Sequence, residues 1–132
     1  MTGLMRASLL RLAALALVCI TSAAYAQAQA ARTGLGVGAV LRTLDKTSGE
    51  VIDVEMATGQ TMAYGPLQVT LHECRFPANN PSGDAFGLIQ VVDARAVQEL
   101  FAGWMVASSP ALNALEHRRY DVWILRCLTS LE

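Results

Sequence analysis

The residues most suggestive of chemistry lie near the carboxyl end of this sequence. Ser108, Ser109, His117 and Asp121 fall within 14 positions, and they include the residue types of a nucleophile, a base and the acid that orients the base. Neither serine lies in a G-x-S-x-G elbow, and a serine before proline at a helix start has a structural role. We therefore expect no enzymatic activity and assign no catalytic residue. An envelope serine hydrolase or inhibitor remains the less favoured alternative.

Four possible metal ligands are His72, Cys74, His117 and Cys127. Two nitrogens and two sulfurs suit zinc, but the C-x-x-C or H-x-x-x-H spacing of zinc sites is missing. The glycines of "TGLGVG", residues 33–38, depart from the dinucleotide fingerprint in their third spacing, and a strand pattern follows where a helix is required. The sequence therefore predicts no metal and no cofactor.

The aromatic residues offer a binding surface instead. Phe101, Trp104, Tyr120 and Trp123 fall within 23 residues. They could form core that packs a helix onto a sheet, or they could form a surface for a partner, because Trp and Tyr dominate binding hot spots. We take all four as candidate partner-binding residues. In a glycan-binding protein, Trp104 and Tyr120 would stack on the sugar rings.

The amino end has the pattern of a cleavable signal peptide over residues 1–26. Arg6 and Arg11 precede an uncharged run at 12–20, and an A-x-A motif occupies residues 24–26. The apolar run is too short for a membrane anchor, which needs about 20 residues. The sequence predicts export to the periplasm and loss of Cys19 with the signal peptide.

The remaining 106 residues make one small domain at 39–132, preceded by a flexible leader at 27–38. This part carries eight Lys and Arg against eleven Asp and Glu. Its net negative charge argues against a nucleic-acid partner, and without a second long apolar run we expect no membrane insertion of the mature chain. Cys74 and Cys127 are the two cysteines left, so an oxidising compartment favours a disulfide between them.

The apolar pattern beyond the leader is that of short strands. Thr47–Gly49 has the composition of a hairpin loop, and the strand after it should alternate between one wet and one buried face. The helix signal is clearest at Ser109–His117, with Ser109 as cap and Leu112 and Leu115 on one face. The predicted strands are residues 39–46, 50–57, 59–65, 67–76, 86–93 and 120–127; residues 96–106 fit a helix or a strand.

The parity of the strand at 67–76 conflicts with a buried disulfide. Leu67, Val69 and Leu71 share a face, which leaves Cys74 on the polar side. A bulge near His72-Glu73 would place it on the buried side, since one extra residue switches the faces.

The run "FAGWMVASSPALNALEHRRYDVW" before Cys127, with "LRTLDKTSGEV" and "YGPLQVTLHECRFP" upstream, resembles a family of exported proteobacterial proteins known as a domain of unknown function. The likeness covers roughly residues 40–127. It implies an envelope protein whose cysteines after "LQVTL" and "YDVW", here Cys74 and Cys127, are paired. It implies no activity or substrate.

These observations predict a mainly β protein. We expect a small antiparallel sandwich or barrel with one or two short helices, linked by one disulfide. The function that fits best is a non-enzymatic periplasmic accessory or binding protein of the cell envelope, whose partner, an envelope protein or a glycan, the sequence does not identify. A glycan-binding module for peptidoglycan or exopolysaccharide is the alternative.

Overall fold

The computed structural model describes residues 32–131, so the predicted signal peptide at 1–26 lies outside the described residues. Within this range the chain forms eight strands and a single turn of 3-10 helix at Pro110–Leu112. The strands are β1 (Thr33–Leu35), β2 (Gly38–Asp45), β3 (Glu50–Ala57), β4 (Thr61–Tyr64), β5 (Leu67–Pro77), β6 (Phe86–Asp93), β7 (Gln98–Val106) and β8 (Tyr120–Leu128).

The strands form two antiparallel sheets that pack face to face. In the larger sheet β1 and β4 pair with the two ends of one edge of β5, and β6 and then β7 follow on its other edge. The smaller sheet has the order β3-β2-β8. The mainly β sandwich predicted from the sequence is confirmed. The core comes from both sheets, and its largest fully buried aliphatic side chains include Leu41, Leu67, Leu71, Ile89 and Ile124.

The hairpin between β2 and β3 turns at residues 46–49, as its composition predicted. Gly49 there has φ +76°, a left-handed conformation that glycine adopts without steric cost. The predicted buried face of β3 is only partly correct, because Ile52 is exposed and burial is complete only at Met56. β3 is an edge strand of the smaller sheet.

A bulge in β5 brings Cys74 into the core. Leu67, Val69 and Leu71 point inward, the register with β6 shifts between Leu71 and Glu73, and Cys74 is then fully buried. The extra residue reverses the parity of the strand, so the predicted bulge is confirmed.

Cys74 and Cys127 form a disulfide that joins the two sheets. Cys74 lies in β5 and Cys127 in β8, with their Cα atoms 5.7 Å apart. The bond therefore ties the larger sheet to the smaller one across the core, and the predicted pairing is confirmed.

The predicted helix at Ser109–His117 is wrong. Only Pro110–Leu112 forms a 3-10 turn, and the Ser109 side chain makes no capping hydrogen bond. Leu112 is exposed, whereas Leu115 is buried. A helix this short is marginal in water, and an extended chain here lets Asn113 Nδ2 donate to the main-chain oxygen of Trp104 at 3.0 Å while Leu115 enters the core.

The ambiguous segment at 96–106 is a strand, β7. No helix in residues 32–131 is long and apolar enough to cross a membrane.

Part of the segment predicted as a leader belongs to the sheets. Residues 33–35 form β1 and pair with β5 at residues 75–77. A Cβ on Gly34 would overlap the ring of Phe76, and one on Gly38 would overlap the main-chain oxygen of Met56. These glycines permit close packing, which accounts for "TGLGVG" without a nucleotide. Residues 27–31 lie outside the described range.

Candidate binding face

The structure separates the four aromatic residues proposed as a partner-binding group. Phe101 and Tyr120 are buried in the core, and Trp123 is half-buried and packs against it. Trp104 is 38% exposed. Phe101 and Tyr120 therefore expose too little ring area to serve as contact residues for a partner, which corrects the prediction for both, and Trp104 is the one of the four that is exposed.

Trp104 lies on the outer face of the larger sheet, the side away from the core. It stands opposite Leu88 across the β6–β7 pair, and Phe86 stands opposite Arg75 across the β5–β6 pair. Leu35 pairs with Arg75 from the other side and is 66% exposed. We call Leu35, Arg75, Phe86, Leu88 and Trp104 the Trp104 face.

Strand alternation positions these side chains. In β6 the buried residues Gly87, Ile89 and Val91 alternate with half-buried ones, so Phe86 and Leu88 face outward. In β7 the inward neighbour of Trp104 is Met105, which is buried. The side chain of Asn113 covers the main-chain oxygen of Trp104 at the open edge of β7.

Arg75 organises the centre of this face. Its guanidinium carbon lies 5.7 Å from the centroid of the Trp104 ring, a cation–π contact. Its Nε also donates to the carboxylate of Glu73. Together with Thr33 and Phe86, the stacked pair lines a shallow and mainly apolar depression of about 250 Å³.

The serine, histidine and acid proposed for catalysis do not form a relay. The Ser108 hydroxyl donates to Asp84 Oδ2 at 2.6 Å. His117 Nδ1 accepts the main-chain N–H groups of Arg119 and Tyr120, at 3.1 and 3.0 Å. A catalytic triad needs that nitrogen to donate to the acid. Here it is an acceptor.

Asp84 instead ties two loops together. Its carboxylate also accepts the N–H of Ala85, and that of Ser108 at 2.9 Å. Burial acts to raise the pKa of Asp84, but the hydrogen bonds from the side chain and amide of Ser108 and from the amide of Ala85 together outweigh it. The pKa therefore lies below its ordinary value. The Ser108 hydroxyl therefore pairs with Asp84 and not with His117.

The proposed metal ligands are also dispersed. Both cysteines are bonded to each other in the disulfide, and His72 Nε2 lies 3.4 Å from Gln90 Oε1. Among residues 32–131, no three His, Cys, Asp or Glu side chains cluster closely enough to hold a metal ion.

Sequence reasoning identified Trp104 but missed its neighbours. Leu35 lay in the segment taken as a leader, and Arg75 took its outward direction from the bulge in β5. The signal for Phe86 and Leu88 was the nearly continuous apolar run of β6. That run was interpreted only as a sign of a central strand, which is correct. It is also the sign that the outward-facing residues of β6 are apolar.

The fold and this face define a small disulfide-linked β-sandwich domain with an exposed aromatic and aliphatic surface. The chain belongs to DUF2155, a protein family described as uncharacterized and conserved in bacteria, whose sequence profile matches residues 39–127. The resemblance to a domain of unknown function predicted from the sequence is thereby confirmed.

A distant relative has a similar segment. The chain is 25% identical over 87 residues to an uncharacterized protein of Rickettsia prowazekii (strain Madrid E), a region that covers 64% of this chain and 56% of that protein. No solved structure matches the chain significantly.

Proposed function

We propose that this protein is a non-enzymatic binding protein of the bacterial cell envelope, and that the Trp104 face contacts a protein partner. The observation that carries the proposal is the exposed Trp104 ring stacked with Arg75 beside outward-facing Phe86 and Leu88. The solvent-facing side of an antiparallel sheet usually carries polar residues. Aromatic residues and arginine amid exposed apolar surface are typical of protein interfaces.

A protein partner fits this face better than a sugar ring does. The glycan-binding alternative would use Trp104 and Tyr120 together, but Tyr120 is buried in the core. The Arg75 guanidinium lies over the Trp104 ring, where a sugar would stack. Leu35, Phe86 and Leu88 extend the surface with aliphatic and aromatic carbon, which suits apolar side chains of a protein.

Two features support the proposed compartment. Residues 1–26 have the pattern of a cleavable signal peptide, and the Cys74–Cys127 disulfide is typical of oxidising environments such as the periplasm. Together they support a periplasmic protein of the envelope.

The absence of catalysis is part of the proposal. Its support is the geometry at Ser108 and His117, whose polar atoms are bonded to Asp84 and to main-chain amides. A serine-reactive phosphonate probe provides the test, and specific labelling of Ser108 or Ser109 would establish the hydrolase alternative instead.

The binding test compares two exposed apolar residues on different parts of the domain. A photo-crosslinking residue replaces Leu35, which lies on the Trp104 face and is 66% exposed, in one variant and Leu112, which is 76% exposed, in the other. We expect a discrete crosslinked protein in the envelope with the first variant and none with the second. Binding of the purified partner should weaken at least about tenfold in Trp104→Ala, the loss typical of a hot spot, and should be unchanged in Leu112→Ala.

Two results would contradict this account. Equal loss of binding in Trp104→Ala and Leu112→Ala would remove the face from the interface. Retention of the protein on purified sacculi, abolished by Trp104→Ala, would favour the glycan-binding alternative.

Export is tested separately by mass spectrometry of the protein from the envelope. We expect a mature chain that begins at Gln27, as the motif at residues 24–26 predicts. A chain that keeps Cys19, or carries a lipid on it, would contradict cleavage at this motif.

A further inference from the structure

A second, chemically different site lies where the turns at one end of the sandwich meet. A cavity of about 530 Å³ opens there between the end of β6 and the start of β8. Its walls include Asp93, Arg95, His117, Arg118, Arg119 and Tyr120, and we call these six residues the cationic pocket.

The segment before β8 folds so that its polar groups surround this cavity. His117 Nδ1 accepts the amides of Arg119 and Tyr120, which closes a tight turn and leaves Arg118 and Arg119 next to each other. The His117 ring stacks on Tyr120 with centroids 5.3 Å apart. Lys46 Nζ donates to the main-chain oxygen of His117 at 2.8 Å, so a further positive charge lies beside the pocket.

The charges of the pocket do not balance. Arg119 is paired with Asp45, and Asp93 offsets one further cation. Among residues 32–131, Arg95 and Arg118 form no ion pair within 4.0 Å. Together with Lys46 and Asp45, which lie beside the pocket, the three arginines make four cations against two carboxylates, a local surplus of two positive charges in a protein whose net charge is −1.

The turn that carries Arg95 is held in a strained conformation. Val97 has φ +50°, which is rare for a β-branched residue, and it is exposed, so its own packing does not offset the strain. Asp93 Oδ1 accepts the N–H of Arg95 at 2.8 Å and that of Ala96 at 3.3 Å, which fixes the turn. Such strain is typical of ligand-binding sites, where the surrounding structure holds a residue in position.

We propose that the cationic pocket binds a phosphate monoester. A phosphate monoester carries a charge of about −1.5 to −2 at pH 7 and three acceptor oxygens, which matches the surplus of two charges. Arg95 and Arg118 supply guanidinium groups, whose planar arrangement of donors fits phosphate oxygens. A carboxylate would neutralise only one of the two charges.

The test is a titration of the purified protein with inorganic phosphate and with glycerol 3-phosphate, followed by NMR chemical shifts. We expect saturable shifts at residues 93–97 and 117–120, and binding at least about tenfold weaker in Arg95→Gln/Arg118→Gln, because each variant side chain loses charge-assisted hydrogen bonds. Arg126→Gln, an exposed arginine near the other end of β8, is the matched control and should bind like the wild type. Thermal unfolding of each variant verifies its fold.

A second arm distinguishes the source of the phosphate. Sedimentation with phosphatidylcholine vesicles that contain phosphatidic acid, lost in the double variant, would identify a lipid headgroup; binding to glycerol 3-phosphate without vesicle binding would identify a free phosphate monoester. The proposal is overturned if no saturable shift occurs, if acetate binds as tightly as phosphate, or if Arg126→Gln loses binding to the same extent. None of these outcomes depends on the Trp104 face.

Discussion

Arg119 holds the buried carboxylate of Asp45 with two nitrogens of its guanidinium group. Its Nε lies 3.2 Å from Oδ1 and 3.1 Å from Oδ2, and its Nη2 lies 2.7 Å from Oδ2. Asp45 ends β2 and is only 7% exposed, and its Oδ1 also accepts the N–H of Thr47 at 2.9 Å. The pair therefore links the β2–β3 hairpin to the chain that enters β8, and through Arg119 it reaches the wall of the cationic pocket.

This ion pair should make stability sensitive to acid. The hydrogen bond from Arg119 lowers the pKa of Asp45 from its ordinary 3.8 to about 2. Because the folded state holds the proton more weakly than the unfolded state, the stabilisation is complete above about pH 4 and is lost as the pH falls through 2. In Arg119→Met the pKa of Asp45 should rise toward 3.8, as NMR titration of its carboxyl carbon would show.

The neighbouring Arg118→Met is the control for that prediction, since Arg118 forms no ion pair within the described residues. Its unfolding free energy should fall between pH 4 and 2 as steeply as that of the wild type. If Arg119→Met retains the wild-type slope as well, the pair does not contribute to acid stability.

Loss of the disulfide should destabilise the domain substantially. The bond closes a loop with a sequence separation of 53 residues, and a loop of this length contributes at most about 4 kcal/mol in the chain-entropy model. We expect Cys127→Ser to lower the free energy of unfolding by about 2–4 kcal/mol, measured by denaturant titration. Wild-type protein in reductant should show a similar loss, and rapid alkylation of both thiols in native, unreduced protein would contradict the bridge.

The two leucines after β7 should differ sharply in their contribution to stability. Leu115 is 3% exposed and lies in the core, so Leu115→Ala should cost about 2–5 kcal/mol through lost contacts and a cavity. Leu112→Ala should change the unfolding free energy by less than about 0.5 kcal/mol, as is usual on the surface. Equal losses of unfolding free energy in the two variants, measured by thermal or denaturant unfolding, would instead support an amphipathic helix with both leucines buried.

Several features of the fold could be read from local sequence because local physics decides them. Short apolar segments bounded by turn residues predicted β2, β5 and β8, and the composition of residues 47–49 predicted the β2–β3 hairpin. The parity conflict at Cys74 even located the β5 bulge, because a strand has a strict two-residue period and a buried cysteine could be reconciled with it only by one extra residue.

The segment at 109–117 shows where such reasoning failed. Serine, proline and two leucines at helical spacing predicted a helix there, but a short helix is weak on its own. Contacts from elsewhere in the chain override it: Asn113 bonds to the edge of β7, and Leu115 fills the core.

The sequence by itself determined that the chain is a β-rich domain with paired cysteines, since periodicity and cysteine count are properties of the chain alone. Only the tertiary structure decided that Trp104 faces outward while Tyr120 is buried, because burial depends on which sheet covers a residue. It alone also gathered Lys46, Arg95 and Arg118, which belong to three separate turns. Long-range strand pairing brings those turns to one end of the sandwich. Their proximity cannot be predicted from the spacing of residues along the sequence.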